Sequence, residues 1–255
     1  MKRQLAIVVL LALALLLGTF SASADEMKTI VLADSASRSE ADGVVVDGDV
    51  VRIMKPGEYI VSGTLTNGCI SVECGNDAKV KLFLNGVNIH NETGPAIYVG
   101  AGMSRVTLSL VDLMENTLSS GENLEFTEKD KEPNGVIFSR SDLTITGTGS
   151  LAVKAGALSG IVSKDDLRIK GGNLTVEAPN HGIRGKDYVE ISNAAVSIRA
   201  GKDALRTTAD DREDRGYISI VNSTVEIACG DDAFSYVTRL NIEQSVISCS
   251  IVDDD

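Results

Sequence analysis

Past residue 24 the chain is written in short apolar alternations. Val, Ile and Leu hold every second position, and small polar clusters such as Thr146-Gly147-Thr148-Gly149 and Lys170-Gly171-Gly172-Asn173 interrupt them. A period of two predicts β-strands with one face inward, and the spacing of three and four that marks an amphipathic helix is missing. The alternations also recur. Ser159-Gly160-Ile161-Val162-Ser163-Lys164-Asp165-Asp166-Leu167-Arg168-Ile169 returns 22 residues later as His181-Gly182-Ile183-Arg184-Gly185-Lys186-Asp187-Tyr188-Val189-Glu190-Ile191, and Asn134 to Ile145 has the same ending.

Aligned on these copies, apolar residues form files. One is Leu143, Leu167, Val189, Ile218 and Leu240; two residues on is Ile145, Ile169, Ile191, Ile220 and Ile242. A second pair is Leu151, Leu174, Val196, Val225 and Ile247, then Val153, Val176, Ile198, Ile227 and Cys249. The steps along the first file are 24, 22, 29 and 22 residues. The long step carries an insertion in or near Ala209–Arg215, and because the register survives on both sides, that insertion is a surface loop. The pattern predicts an all-β fold: a right-handed parallel β-helix, a single-stranded solenoid with coils of about 22 residues, each strand hydrogen-bonded to its copy roughly 4.8 Å away. Residues 25–58 are expected to form an N-terminal β cap over an end that would otherwise expose strand edges, and residues 59–255 the β-helix itself.

The first residues change the setting. Met1-Lys2-Arg3-Gln4 is basic, Leu5 to Gly18 is apolar, and Ala22-Ser23-Ala24 is a small-residue cleavage site. Residues 1–24 therefore read as a signal peptide, which predicts a secreted, extracellular or cell-surface protein, cleaved near Ala24. The apolar run is too short to span a bilayer and no second one follows, so no membrane insertion is expected. Without this segment 22 basic residues face 36 acidic ones, a balance that repels nucleic acid and anionic membranes. A monomer is expected. Aromatic residues are 4% and Trp is absent, so the core has to be aliphatic. Cys69, Cys74, Cys229 and Cys249 read as buried thiols.

Outward positions of the same register carry the candidate chemistry. One file reads Asp142, Asp166, Tyr188, Tyr217 and Arg239, and Arg184 aligns with Arg206 on an adjacent turn. A ridge with tyrosines flanked by acids and bases can hydrogen-bond to and stack on sugars, so Asp142, Asp166, Tyr188, Tyr217, Arg239 and Arg184 are the candidate ligand-binding residues. Calcium seeks six to eight oxygens, and neighbouring copies can bring carboxylates within reach of one ion. The candidates are Asp165, Asp166 and Asp187 at one corner, Asp203, Asp231 and Asp232 at another, and Asp211 and Asp214 in the inserted loop. Two histidines, no Cys-x-x-Cys and no Gly-x-Ser-x-Gly leave little for other metals or for nucleophilic catalysis.

The segments Lys55-Pro56-Gly57-Glu58-Tyr59-Ile60-Val61-Ser62-Gly63-Thr64-Leu65, Glu132-Pro133-Asn134-Gly135-Val136-Ile137-Phe138-Ser139, Lys164-Asp165-Asp166-Leu167 and Gly182-Ile183-Arg184-Gly185-Lys186-Asp187 together resemble the bacterial carbohydrate-binding β-helix domain family, related in fold to pectate and other polysaccharide lyases. The resemblance runs over residues 40 to 255. It implies a secreted or surface-attached protein that binds cellulose-like or acidic, pectin-like glycans, with calcium held by junction carboxylates. The family favours Asn or Asp before Gly-Ile, whereas Ser159 and His181 stand there in this chain. The expected function is calcium-dependent polysaccharide binding without catalysis. The alternative is a pectate-type lyase acting by β-elimination, for which Lys164, Lys186, Arg184 and Arg206 are the basic candidates. A second alternative is a surface structural or adhesive β-solenoid.

Overall fold

Alternating Val, Ile and Leu make strands because a pleated backbone sends successive side chains to opposite faces, and burying one of those faces orders the chain. The structure is a computed structural model that describes residues 27–122 and 132–251. The expected signal peptide and the terminal Asp253-Asp254-Asp255 lie outside the described residues.

The strands form two sheets, one of 15 strands and one of nine. The larger is centred on Lys79–Asn91, whose first half, Lys79 to Leu84, pairs with Arg105–Leu110, while Asn88 to Asn91 pairs with Thr117 to Ser120 of Glu115–Ser120. Two limbs extend from there. One runs through Arg105–Leu110, Leu143–Gly147, Asp166–Lys170, Tyr188–Ser192, Tyr217–Val221 and Leu240–Glu243. The other runs through Glu115–Ser120, Ser150–Ala155, Asn173–Ala178, Ala195–Ala200, Thr224–Cys229 and Val246–Ile251. Gly57–Leu65 also pairs with Lys79–Asn91, and Lys28–Leu32 pairs with Gly57–Leu65. The nine-stranded sheet begins with the antiparallel pair Val44–Asp47 and Val50–Ile53 and continues in parallel through Cys69–Val72, Ile97–Val99, Gly135–Ser139, Ser159–Ser163, Ile183–Gly185, Leu205–Thr207 and Phe234–Ser235.

Both limbs and the smaller sheet feed one apolar cluster. Leu143 pairs with Leu167, Leu167 with Val189, Val189 with Ile218 and Ile218 with Leu240, so the first apolar file is a row of hydrogen-bonded neighbours. The file Leu151, Leu174, Val196, Val225 and Ile247 does the same on the other limb. The turns between strands are tight. Asn193, Asn222 and Gln244 adopt left-handed φ of 52°, 49° and 48°, and the Asn222 amide donates to Asn193 Oδ1 at 2.6 Å, a local hydrogen bond that suits asparagine to such corners. A Cβ on Gly182 would lie 2.4 Å from Ile198 Cγ2, which is why Gly precedes Ile183 where the chain enters the smaller sheet.

This strand order corrects the expected single-stranded, right-handed parallel β-helix with coils of about 22 residues. The strands are divided between a 15-stranded and a nine-stranded sheet in a layered, sandwich-like all-β arrangement. The physical reason lies on a second face. Every residue of Gly135–Ser139 and Ser159–Ser163 is buried, so these strands are covered on both sides, whereas the wall of a simple solenoid leaves alternate residues in water. All four cysteines are free thiols, and Cys249, read as buried, is exposed on the last strand.

Candidate functional site

The site grows from the corner where the chain leaves the nine-stranded sheet and enters the first limb. Asp142, Asp165, Asp166 and Asp187 fall there because each copy places polar residues just before its inward Leu or Val. Asp142, Asp165 and Asp166 each offer a carboxylate oxygen within 4.8 Å of the others. Burial, reinforced by the charges of Asp142, Asp187 and Asp166, pushes Asp165 up to about 6. Burial and Asp142 push Asp166 to about 6 as well, against the opposing pull of Arg168. Asp187 is 4% exposed. Its Oδ2 meets Arg215 Nε at 3.1 Å, and its buried Oδ1 has no hydrogen-bond partner.

Beside this corner stands the ridge. Asp166 pairs with Tyr188, and Tyr188 with Tyr217, in strand register. The two rings stack with centroids 4.9 Å apart and 18° between planes. Arg168 covers the other face of Tyr188 at 4.8 Å from its centroid, and Arg239 covers Tyr217 at 4.2 Å. Both faces of both rings are therefore occupied from within the protein. The hydroxyls are tied too: Tyr188 donates to Asp166 Oδ2 at 2.5 Å and Tyr217 to Glu190 Oε1 at 2.7 Å. Burial and the bond to Glu190 raise the Tyr217 hydroxyl above its ordinary range. Arg168 also reaches Asp142 at 3.4 Å, Asp166 at 2.8 Å and Glu190 at 3.5 Å. The expected sugar platform is a closed stack, so what the ridge presents outward is ring edges, guanidinium groups and carboxylates.

The second acidic corner is built differently. Asp203, Asp231 and Asp232 also bring oxygens within 4.8 Å of one another, with Asp203 buried and the other two exposed. Asp203 Oδ2 accepts from Arg206 Nη1 at 2.7 Å and lies 3.3 Å from His181 Nδ1. Burial and the Arg206 charge lower His181 from its ordinary value, against the opposing pull of Asp203. Asp211 and Asp214 of the inserted loop join neither corner: Asp211 pairs with Arg215 at 3.2 Å, and Asp214 pairs with Arg212.

The basic candidates separate in the same way. Lys164 is paired with buried Glu132, which Arg140 also meets at 3.2 Å. Arg206 is held by Asp203. Arg184 lies beside Arg206 in register and, among the described residues, has no hydrogen bond or ion pair; burial and Arg206 lower its guanidinium from the ordinary value. Lys186 is tied through its backbone, its carbonyl accepting the amides of Thr208 and Ala209.

Sequence reasoning missed Arg168 and Glu190. Arg168 and Glu190 sit two residues beyond Asp166 and Tyr188, so the same period of two that found the ridge also defines a second outward file, Thr144, Arg168, Glu190, Ser219 and Asn241. Arg215 closes the insertion and falls in one file with Arg140, Lys164 and Lys186, but that file does not foretell its contact with Asp187.

A family model described as carbohydrate-binding domain-containing protein matches residues 47–254. A carbohydrate-binding domain-containing protein of Acetivibrio thermocellus (strain ATCC 27405) is 40% identical over 146 residues, 57% of this chain and 51% of that protein, so the chain spans about half the length of that relative. The solved structure of the polysaccharide lyase-like protein from C. thermocellum, a gadolinium derivative, is 33% identical with a TM-score of 0.78, covering 89% of this chain and 96% of that one.

Proposed function

The chain belongs to the carbohydrate-binding domain-containing protein family, and from this premise we propose that it is an exported, calcium-dependent polysaccharide-binding protein whose ligand lies along the ridge beside Asp142, Asp165 and Asp166. The observation that carries the reading is the crowding of these three carboxylates within 4.8 Å, two of them pushed up to about 6. Carboxylates packed this closely in a partly desolvated corner repel one another, and a hard divalent cation removes that repulsion. The donor set fits calcium: it is all oxygen, and the buried carboxylate of Asp187, whose Oδ1 meets no N–H donor, lies against Asp165. Asp142, Asp165 and Asp166 would hold the ion, with Asp187 at its edge.

Calcium in such a corner supplies a positive charge to which acidic sugars bind, and the adjoining hydroxyl and guanidinium edges hydrogen-bond to sugar hydroxyls. Cellulose and pectin-like glycans are the candidate ligands. Because the faces of Tyr188 and Tyr217 are covered, recognition here is by polar edges more than by ring stacking. Retention on cellulose and on polygalacturonate, with calcium and with chelator, tests the reading. Loss of retention on chelation is expected, and no retention on any glycan counts against it.

A second reading, β-elimination on an acidic glycan, is favoured by one observation: Arg184 is half-buried, unpaired among the described residues and lowered from its ordinary value by burial and Arg206. A guanidinium so placed gives up its proton more readily than one in water. Ultraviolet absorbance of an unsaturated product from polygalacturonate would reveal it, and a flat trace under calcium removes it.

A further inference from the structure

The insertion between Leu205–Thr207 and Tyr217–Val221 reaches the cation corner through one side chain. Its feet are fixed by backbone: Thr208 and Ala209 donate to the Lys186 carbonyl at 3.1 and 2.9 Å, and Gly216 donates to the Asp187 carbonyl at 2.5 Å. Asp210 to Asp214 are exposed. Arg212 and Asp214 pair with each other, and Arg215 Nη1 takes Asp211 at 3.2 Å. The side-chain link from this loop to the acidic corner is Arg215 Nε to Asp187 Oδ2, 3.1 Å long, and it meets a carboxylate whose other oxygen is buried without a partner.

Three arginines thus carry positive charge into the corner, and they are held differently: Arg105 reaches Asp142 at 3.4 Å. Arg168 is stacked on Tyr188 and braced by Asp142, Asp166 and Glu190. Arg215 stands on the rim of a solvent-exposed loop. A divalent ion among Asp142, Asp165 and Asp166 repels all three, and the one that holds Asp187 is Arg215. Its departure returns both oxygens of Asp187 to the corner, where calcium needs more oxygens than three carboxylates supply singly.

We propose that Arg215 is an exchangeable counter-ion for Asp187: it neutralises the corner while no metal is bound, and a divalent cation displaces it and releases the 209–216 loop from the body of the protein. The loop then reports and regulates cation occupancy beside the ridge. This rests on the calcium reading above.

The test uses the full chain and calcium chloride. Calcium titrations by calorimetry compare wild type with Arg215→Met and Asp187→Asn, and limited trypsin digestion follows cleavage after Arg212 and Arg215 with and without calcium. Removing a competitor for Asp187 raises the cation-competent fraction, so Arg215→Met is expected to bind calcium about tenfold more tightly, and Asp187→Asn more weakly. Calcium is expected to speed wild-type cleavage in the loop by about threefold or more, because proteolysis follows the open population. Unchanged or weaker calcium binding by Arg215→Met overturns the proposal and makes Arg215 a fixed structural partner. Calcium binding with cleavage unchanged or slowed overturns loop release alone. No calcium binding by wild type or either variant overturns the calcium reading, and the proposal with it.

Discussion

The two acidic corners are alike in composition and opposite in state. At Asp203, the buried carboxylate already has its counter-charge, Arg206 at 2.7 Å, and its companions Asp231 and Asp232 lie in water. At Asp165 and Asp166 the carboxylates are partly desolvated together, and their raised values record burial first and the charges of neighbouring acids second, which Arg168 opposes at Asp166. Three close acids are thus a weak indicator by themselves. What separates a cation corner from a surface cluster is whether a desolvated acid is left without a counter-charge: Arg105 and Arg168 reach Asp142, Arg168 reaches Asp166 and Arg215 reaches Asp187, but among the described residues no ion pair reaches Asp165.

The largest break in this comparison is expected from Asp165→Asn combined with Asp166→Asn, which should weaken calcium binding by at least about 100-fold in calorimetry, because it removes two of the three crowded ligands. Asp231→Asn with Asp232→Asn should change it by about tenfold or less, and the reverse ranking would exchange the roles of the corners. Next comes stability. Asp203→Ala strips Arg206 of its partner and the Asp232 amide of its acceptor, and denaturant unfolding should show a loss of about 2 kcal/mol, less than for a fully buried pair because Arg206 is partly exposed. Asp165→Asn should do the opposite without metal, stabilising by about 1 kcal/mol at pH 7 once its partial exposure is discounted.

The smallest effect sharpens the contrast through pH. A carboxyl raised in the folded state contributes stability that is fully present below its unfolded value and is lost as pH rises through its folded value. For Asp165 and Asp166 that window runs from the ordinary 3.8 to about 6. The metal-free protein should lose stability across it, and calcium, which competes with protons for the same oxygens, should raise Tm by a few degrees more at pH 7 than at pH 5. An equal rise at both values would show that the ion binds elsewhere.

Much of the strand pairing was legible in the sequence and the architecture was not. The files through Leu167 and Leu174 could be read because a one-residue slip would expose every inward side chain, so the alternation fixes register. Alternation says nothing about how many sheets share the strands, or that Phe138 and Val162, outside the first apolar set, are buried as well. At the site, Asp165, Asp166 and their alignment with Tyr188 and Tyr217 were visible, because position in the file decides proximity. That Arg168 and Arg239 close the ring faces depends on side-chain direction across strands, and that Arg215 folds back on Asp187 depends on the path of a loop with no periodic signal.

The closed tyrosine stack has one more consequence. The chain has no tryptophan and five tyrosines, and of the two that touch face to face, Tyr188 donates directly to Asp166. Coupled transitions of two phenol rings 4.9 Å apart give a circular dichroism signal in the near ultraviolet that isolated tyrosines lack. The molecule thereby carries its own optical gauge at the place where its ion and its sugar are proposed to meet, readable without any label.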